Sequence, residues 1–383
     1  MSGRSLHLVA VNWRDIRNPE AGGAEIHLHE ILTRMVARGH RATLFATRFA
    51  GAPGEEMVDG VRVLRHGAWW NANLTLPRAL RSFLRRDAAD LVLEDINKVP
   101  FLTPLYTRGP VLAIVPHLFG ATVFRETNPL FALYVMAWES LIPLVYRRCR
   151  FAVISPSTRD DLVRRGVGAT RIDVVLCGLD HGLYRRLPGV TRNARPTLVH
   201  FGRVRKYKAI DVVLRAFAIV RRSIPDARLV IIGDGPELPN LKQTARRLGV
   251  DTQVEFAGRM GGAAMVEVLN RCHVFLNASP KEGWGLTVVE ANACGVPVVG
   301  SDRPGLRDSI QNGVTGFLVP YGHADAFARR TVELLADAAL WEHTSRAASA
   351  WAESLTWERT ADEMEPLLAR AAGPGDGRTE AAQ

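Results

Sequence analysis

The feature that most constrains this chain is an alternation of short apolar runs with helix-length amphipathic segments, which stops midway and starts again. Residues 6–11 read as a strand, and a polar loop over 12–21 leads to Gly22-Gly23. Leu28, Ile31, Leu32, Met35 and Val36 then recur at helical spacing, with Gly39 where a helix C-terminus favours a left-handed residue. Strands follow over 41–47, 61–64, 91–93, 111–115, 151–154 and 172–175. Residues 187–196 are rich in Pro, Gly, Asn and Arg and read as a linker. Beyond it, strands at 197–201, 228–232, 253–257, 274–277 and 297–300 alternate with helices at 210–224, 236–248, 263–271 and 286–294. Helices are expected at 324–336, 340–355 and 357–372, and disorder over 373–383. Such alternation demands parallel sheets covered on both faces. The expected fold is therefore α/β with two doubly wound domains, 1–188 and 197–356, joined by 189–196. The 357–372 helix is expected to complete the first domain. Ligands of open parallel sheets bind beyond the carboxyl ends of the strands, so a cleft between the domains is the expected site.

Composition removes several alternatives. The chain has 383 residues and is 47% hydrophobic, ordinary for a soluble globular protein of two or three domains. No apolar run reaches the ~18–20 residues of a spanning helix; the nearest, 130–138, has nine. Residues 1–30 lack a basic region followed by an apolar one, so a cytoplasmic protein is expected. The formal charge of +10 favours anionic partners: nucleotides, acidic lipid surfaces or nucleic acid. The basic residues are scattered and no nucleic-acid-binding signature appears, so no nucleic acid is expected. Cys149, Cys177, Cys272 and Cys294 form no C-x-x-C pair and are expected to be reduced packing residues.

Four segments carry chemistry. The first, Glu282-Gly283-Trp284-Gly285-Leu286-Thr287 with Glu290, follows a strand and opens a helix, whose unpaired N–H groups suit anions and hydroxyl-rich groups. Glu290 lies about two helical turns beyond Glu282. The second, Gly202-Arg203-Val204-Arg205-Lys206-Tyr207-Lys208, also follows a strand. Lysine is scarce here, at five of 49 cations, yet two lysines stand in this loop and Lys281 beside the other. Arg offers phosphate a bidentate fork and Lys a point charge. The third is Gly22-Gly23 at a helix N-terminus. The fourth is His117, just past the 111–115 strand. Each has a plain structural reading as well: a tight turn, a solvated charge run, an ordinary strand–helix turn, a packed histidine.

Taken together, Gly-Arg-Val-x-x-x-Lys and Glu-Gly-Trp-Gly-Leu-x-x-x-Glu on a two-domain α/β plan resemble a GT-B glycosyltransferase of family 4, over about residues 6–370. The resemblance implies a retaining, metal-independent hexosyltransferase using a GDP- or UDP-linked hexose and an acceptor glycan, lipid or small molecule. It implies that Arg203 and Lys208 hold the diphosphate, with Gly202 in their loop. Gly22 and Gly23 would contact the same phosphates. Glu282 and the Gly283–Thr287 backbone would position the sugar, Glu290 the ribose and His117 the sugar near the reacting carbon. Gly233, Asp234, Gly235, Gly258, Arg259 and Met260 would line the base pocket. Where the family usually has glycine after the motif lysine, this chain has Ala209. No cofactor is implied. No D-x-D cluster is visible, and His27 and His29 diverge on their helix, so no metal is expected.

Other segments of the sequence fit rival readings. Gly233-Asp234-Gly235-Pro236-Glu237-Leu238 is a partial dinucleotide fingerprint with Leu238 at the third glycine. A sugar-nucleotide epimerase on the same plan would lack dependence on an acceptor. Finally, Trp69-Trp70 precede a segment in which Pro77 is expected to open a helix with Leu80, Phe83 and Leu84 on one side. Arg78, Arg81, Arg85 and Arg86 supply its charge, the pattern of a contact with an anionic membrane surface.

Overall fold

The computed structural model describes residues 4–125 and 128–373, so the expectation of disorder over 374–383 lies outside the described residues. The chain forms two compact units: residues 1–178 with 357–383, and residues 179–356.

In the first unit the strands are β1 (His7–Val11), β2 (Arg41–Ala46), β3 (Glu55–Val58), β4 (Val61–Arg65), β5 (Leu91–Asp95), β6 (Val111–Val115), β7 (Arg150–Val153) and β8 (Ile172–Val174). Among the described residues they form one sheet in the order β3-β4-β2-β1-β5-β6-β7-β8. All neighbours are parallel except β3 with β4. Apolar clusters cover both faces, one with the Gly23–Ala37 helix and the C-terminal Trp357–Ala372 helix, the other with the Ala72–Leu84 helix. β1, β5 and β6 are buried throughout, which is why 8–11, 91–93 and 111–115 read as apolar runs; the buried ends of β5, Glu94 and Asp95, are the exception.

The second unit contains β9 (Thr197–Phe201), β10 (Arg228–Ile232), β11 (Val254–Gly258), β12 (Val274–Asn277), β13 (Val298–Ser301) and β14 (Gly316–Val319), in the order β11-β10-β9-β12-β13-β14. All neighbours are parallel. The chain leaves β9 toward β10 and β11 on one side and resumes with β12, β13 and β14 on the other. The direction reverses between β9 and β12, and a crevice opens at such a switch point. The loops after β9 and after β12 are the two motif-bearing segments.

Three expectations are corrected. First, the boundary falls at 178/179, not 188/189. Leu179 N–H bonds to Leu355 O (3.1 Å), and Leu183, Tyr184 and Leu187 pack into the second core. The supposed linker is also fixed to the second unit: the Arg192 guanidinium donates to the carbonyls of Leu269, Asn270, Cys272, Cys294 and Gly295. Second, Pro77 does not open a helix but lies inside Ala72–Leu84. The helix starts earlier because Ala72, Leu76, Leu80 and Phe83 form its buried stripe. Arg78, Arg81, Arg85 and Arg86 are exposed, so the apolar side of this helix serves the core. Third, β3 was not foreseen. It is a polar edge strand turned back by Asp59 (φ 47°) and Gly60 (φ 82°), the Asp-Gly pair of a two-residue hairpin.

Candidate active site

β9 and β12 are buried and fixed by parallel pairing, Val274 opposite Leu198 and Phe275 opposite Val199. Their C-terminal loops are therefore held side by side. Lys208 Nζ donates to Glu282 Oε1 at 2.5 Å, joining the two motif segments across 74 residues of sequence. Burial lowers the Lys208 pKa, but Glu282 and Tyr207 outweigh this and the net shift is upward. Lys208 is thus held as a cation, and Nζ also lies 5.2 Å from the Tyr207 ring centre. Arg203 is exposed and close enough to oppose that charge. An ammonium has three donors, so two remain for further acceptors beside the one given to Glu282.

Backbone contacts make this juxtaposition rigid. Gly202 N–H bonds to Ile232 O and Val204 N–H to Asp234 O, both at 3.0 Å. A Cβ at Gly233 would lie 1.9 Å from Gly202 O, and one at Gly235 2.2 Å from Val204 O. These two glycines let the turn after β10 lie directly against the Arg203 loop, a packing reason that the sequence reading did not see. Gly233 N–H also bonds to Gly258 O (2.7 Å) at the end of β11; Arg259 beyond it is exposed, while Met260 is partly buried against the core. On the other side, Glu282 N–H bonds to Pro304 O (3.1 Å), and a Cβ at Gly305 would sit 2.3 Å from Glu282 O. Gly305, which stands in no sequence motif, lets its loop approach Glu282.

The Leu286–Ala293 helix starts from Gly285 in the left-handed region (φ 91°). Thr287 approaches Gly202, whose added Cβ would meet the threonine methyl at 3.9 Å. Trp284 is buried. Its indole N–H, the Ser279 hydroxyl and His200 Nε2 are buried without a hydrogen-bond partner among the described residues. His200 was not foreseen. Burial lowers its pKa to about 4, and it lies near enough to Lys208 and Glu282 to feel both charges. Glu290 is partly buried, and burial raises its pKa to about 7 against a hydrogen bond from Tyr184 that lowers it. Tyr184 was also missed, because the domain boundary placed it elsewhere; burial and Glu290 raise its own pKa.

Gly22, Gly23 and His117 belong to the first unit, at the carboxyl ends of β1 and β6. Gly22 N–H is taken by Glu25 Oε2 (2.8 Å), and Gly23 begins the helix. Glu25 is in turn bonded by Asn97 Nδ2 (3.4 Å) and lies 3.7 Å from Lys98 Nζ. His117 is half-buried, its ring 5.0 Å from that of Phe119. His27 is buried with its pKa lowered to about 4 by burial, whereas His29 Nε2 meets Asp59 at 2.9 Å, so the two histidines do diverge. The four cysteines are buried and unbridged. Among the described residues no three His, Cys, Asp or Glu side chains converge to hold a metal, and no helix is long and apolar enough to cross a membrane.

Two doubly wound units, the second with a cation–carboxylate pair at its switch point, define an α/β protein with the place for an anionic ligand, and comparison with known proteins names its class. The profile "Glycosyltransferase Family 4" matches residues 21–183 and "Glycosyl transferases group 1" matches 189–351. The chain is 33% identical to the D-inositol 3-phosphate glycosyltransferase of Kribbella flavida, over 94% of this chain and 93% of that enzyme. It is 28% identical to a GDP-mannose-dependent alpha-(1-6)-phosphatidylinositol monomannoside mannosyltransferase of Mycolicibacterium smegmatis, over 95% and 97%. Among solved structures, sucrose-phosphate synthase from Thermosynechococcus elongatus superposes with a TM-score of 0.81 at 19% identity, covering 95% of this chain and 98% of that one. Anabaena HepE in complex with UDP-glucose superposes at 0.72 and 20%, covering 94% and 99%. The chain belongs to the family 4 glycosyltransferases and has their GT-B fold of two Rossmann-like domains.

Proposed function

We propose that this glycosyltransferase is a retaining, metal-independent hexosyltransferase working in the cytoplasm. It would transfer a hexosyl group from a GDP- or UDP-linked hexose to a hydroxyl of a glycan, lipid or small-molecule acceptor. The observation that carries the reading is the Lys208–Glu282 pair beside Arg203 at the β9/β12 switch point. Breaking a glycosyl–phosphate bond places negative charge on the leaving diphosphate and positive charge on the sugar. Lys208 and Arg203 stabilise the first, with the N–H groups at the start of the Leu286–Ala293 helix. Glu282 lies where a carboxylate can accept hydrogen bonds from sugar hydroxyls while keeping Lys208 oriented. Glu290 is assigned to the ribose hydroxyls, and His117 to the sugar near the reacting carbon. The acceptor oxygen bonds to the anomeric carbon as the carbon–phosphate oxygen bond breaks. The acceptor proton passes to the leaving phosphate oxygen on the same face, so configuration is retained. A GDP-mannose-dependent relative and a fold neighbour solved with UDP-glucose support a nucleotide-linked hexose as donor.

The test is a thermal-shift panel of nucleotide sugars in EDTA, followed by NMR of the product's anomeric configuration. The matching donor at 100 times its dissociation constant should stabilise the protein by about 2.7 kcal/mol. Stabilisation that needs added Mg²⁺ or Mn²⁺ would refute metal independence, and an inverted product would refute retention. Isomerised donor without any need for an acceptor would favour an epimerase.

A further inference from the structure

The Pro129–Ser140 helix and the short Ile142–Val145 helix after it have no polar face to give to water. Their inward stripe is Ala132, Val135, Glu139, Ile142 and Tyr146. Their outward side carries Leu130 (81% exposed), Phe131, Leu133 (57%), Tyr134, Leu141 and Leu144 (65%). Single exposed leucines are common on protein surfaces, but a contiguous run of large apolar side chains on one helical face marks an interaction site.

Charge identifies the occupant. No exposed residue from 129 to 144 is charged. The one carboxylate in that stretch, Glu139, is buried. It accepts the N–H groups of Phe119 (2.6 Å) and Gly120 (2.9 Å) and lies 3.2 Å from Arg165. At the far end of the outward stripe, three and four residues past Leu144, Arg147 and Arg148 are both exposed. A face with no exposed acid from 129 to 148 and with cations at its C-terminal end fits an interfacial layer of acyl chains under anionic headgroups. The 12-residue helix is roughly 18 Å long, enough to lie in that layer and too short to cross it. In the Ala72–Leu84 helix the main apolar stripe of Ala72, Leu76, Leu80 and Phe83 is spent on the core, and of the large apolar side chains only Leu74, with Trp69 and Trp70 of the preceding turn, is left exposed.

We propose that the outward face of residues 130–148 is a docking surface for an anionic lipid bilayer. Through Glu139 this face is tied to the Phe119–Gly120 backbone, two residues past His117, so a docked bilayer lies directly behind the loop that carries His117. The proposal stands whichever hexose and acceptor the enzyme uses.

Flotation of the full chain with phosphatidylcholine vesicles, with and without phosphatidylglycerol, tests it. Wild type should float with the anionic vesicles at low salt and less at high salt. Leu130→Glu/Leu133→Glu/Leu144→Glu should lower partitioning by at least about tenfold. Arg147→Glu/Arg148→Glu should abolish the preference for anionic vesicles, and Arg81→Glu/Arg85→Glu should change little. Donor-induced thermal shifts should be unchanged in all three variants, which separates a failure of docking from a failure of the proposed reaction. The proposal is overturned if wild type stays unbound to both vesicles. It is equally overturned if the leucine variant floats like wild type, or if only the Arg81/Arg85 variant loses binding. Sedimentation showing a dimer that the leucine variant dissociates, without vesicle binding, would assign the face to a second copy of the chain.

Discussion

The carboxyl edges of the two sheets are built on one plan and use their carboxylates in opposite ways. In the first unit Glu94, at the end of β5, is fully buried and saturated. It accepts Phe101 N–H (2.6 Å), Thr103 N–H (2.9 Å), Thr103 hydroxyl (2.5 Å) and Tyr146 hydroxyl (2.7 Å). Asp95 accepts from Asn12 through Oδ2, its Oδ1 being buried without a partner among the described residues; Asn12 is tied to Asn97 and Asn97 to Glu25. These acids fold the loops around them. In the second unit Glu282 and Glu290 are only partly buried and face Lys208 and Tyr184. Three buried polar atoms nearby, on Trp284, Ser279 and His200, lack a partner among the described residues, as Asp95 Oδ1 does at the first edge, and such atoms cost about 1–3 kcal/mol each when nothing satisfies them. The difference teaches how to separate a structural acid from a chemical one on a shared fold. Glu94 spends its oxygens chiefly on donors of its own loops; Glu282 and Glu290 each face a titratable side chain brought from a distant segment.

The largest effect should come from removing the cation of the second edge. Lys208→Ala is expected to lower turnover by about two to three orders of magnitude, the range for one preorganised charge-stabilising group. Donor affinity should fall less, because Arg203 and the helix N-terminus remain. Steady-state kinetics giving near-normal turnover would remove Lys208 from the mechanism.

The comparison next predicts opposite stability effects. Glu94→Ala leaves several buried donors unpaired and should cost about 3 kcal/mol or more. Glu290→Gln at pH 8 should leave stability unchanged or raise it, since the amide removes a carboxylate that burial disfavours. Urea denaturation of both variants decides, and a large loss in Glu290→Gln would make that residue structural as well.

A pH dependence sharpens the same point. The Glu290 pKa is raised from 4.5 to about 7 by burial. The folded state therefore holds this proton more tightly than the unfolded chain does. The stabilising contribution is fully present below pH 4.5 and is lost as pH rises through 7. Ribose hydroxyls donating to Glu290 would favour its ionised form. Affinity for the bare nucleoside diphosphate should then climb as pH rises from 6 to 8, by up to about tenfold per unit below the pKa. Glu290→Gln should flatten the profile, and Tyr184→Phe should move it to higher pH. Calorimetry showing a flat wild-type profile would separate Glu290 from the ribose.

The smallest expected effect concerns Ala209, which caps the Ile210–Ser223 helix in the left-handed region (φ 50°, ψ 40°). A non-glycine residue there carries about 1–2 kcal/mol of strain. Ala209→Gly relieves it but loosens the unfolded chain and removes a buried methyl, each a cost of about 1 kcal/mol. The net change should stay within about 1 kcal/mol. A melting temperature many degrees higher would show that Ala209 keeps the Lys208 loop under strain for a purpose.

The sequence by itself determined the doubly wound architecture. Strands buried on both faces must be unbroken apolar runs, so 111–115, 197–201, 228–232 and 274–277 coincide with the observed strands. It also determined that cations and acids gather in the loops after β9 and β12. Glycine-bearing turns and charged residues at strand ends are local patterns, readable from neighbours in the chain. Tertiary structure alone decided which of those residues meet. The 2.5 Å contact of Lys208 with Glu282 depends on β12 pairing with β9 across two intervening strands, and Tyr184 reaches Glu290 only because residues 179–187 pack with the second unit. It alone decided that Gly233, Gly235 and Gly305 serve the close approach of other loops, because a Cβ clash involves a backbone distant in sequence. It alone decided which of two Leu-rich helices spends its apolar side on the core and which leaves it outside. Helical spacing tells which residues share a face, but whether that face meets the sheet or the solvent is set by contacts the spacing does not encode.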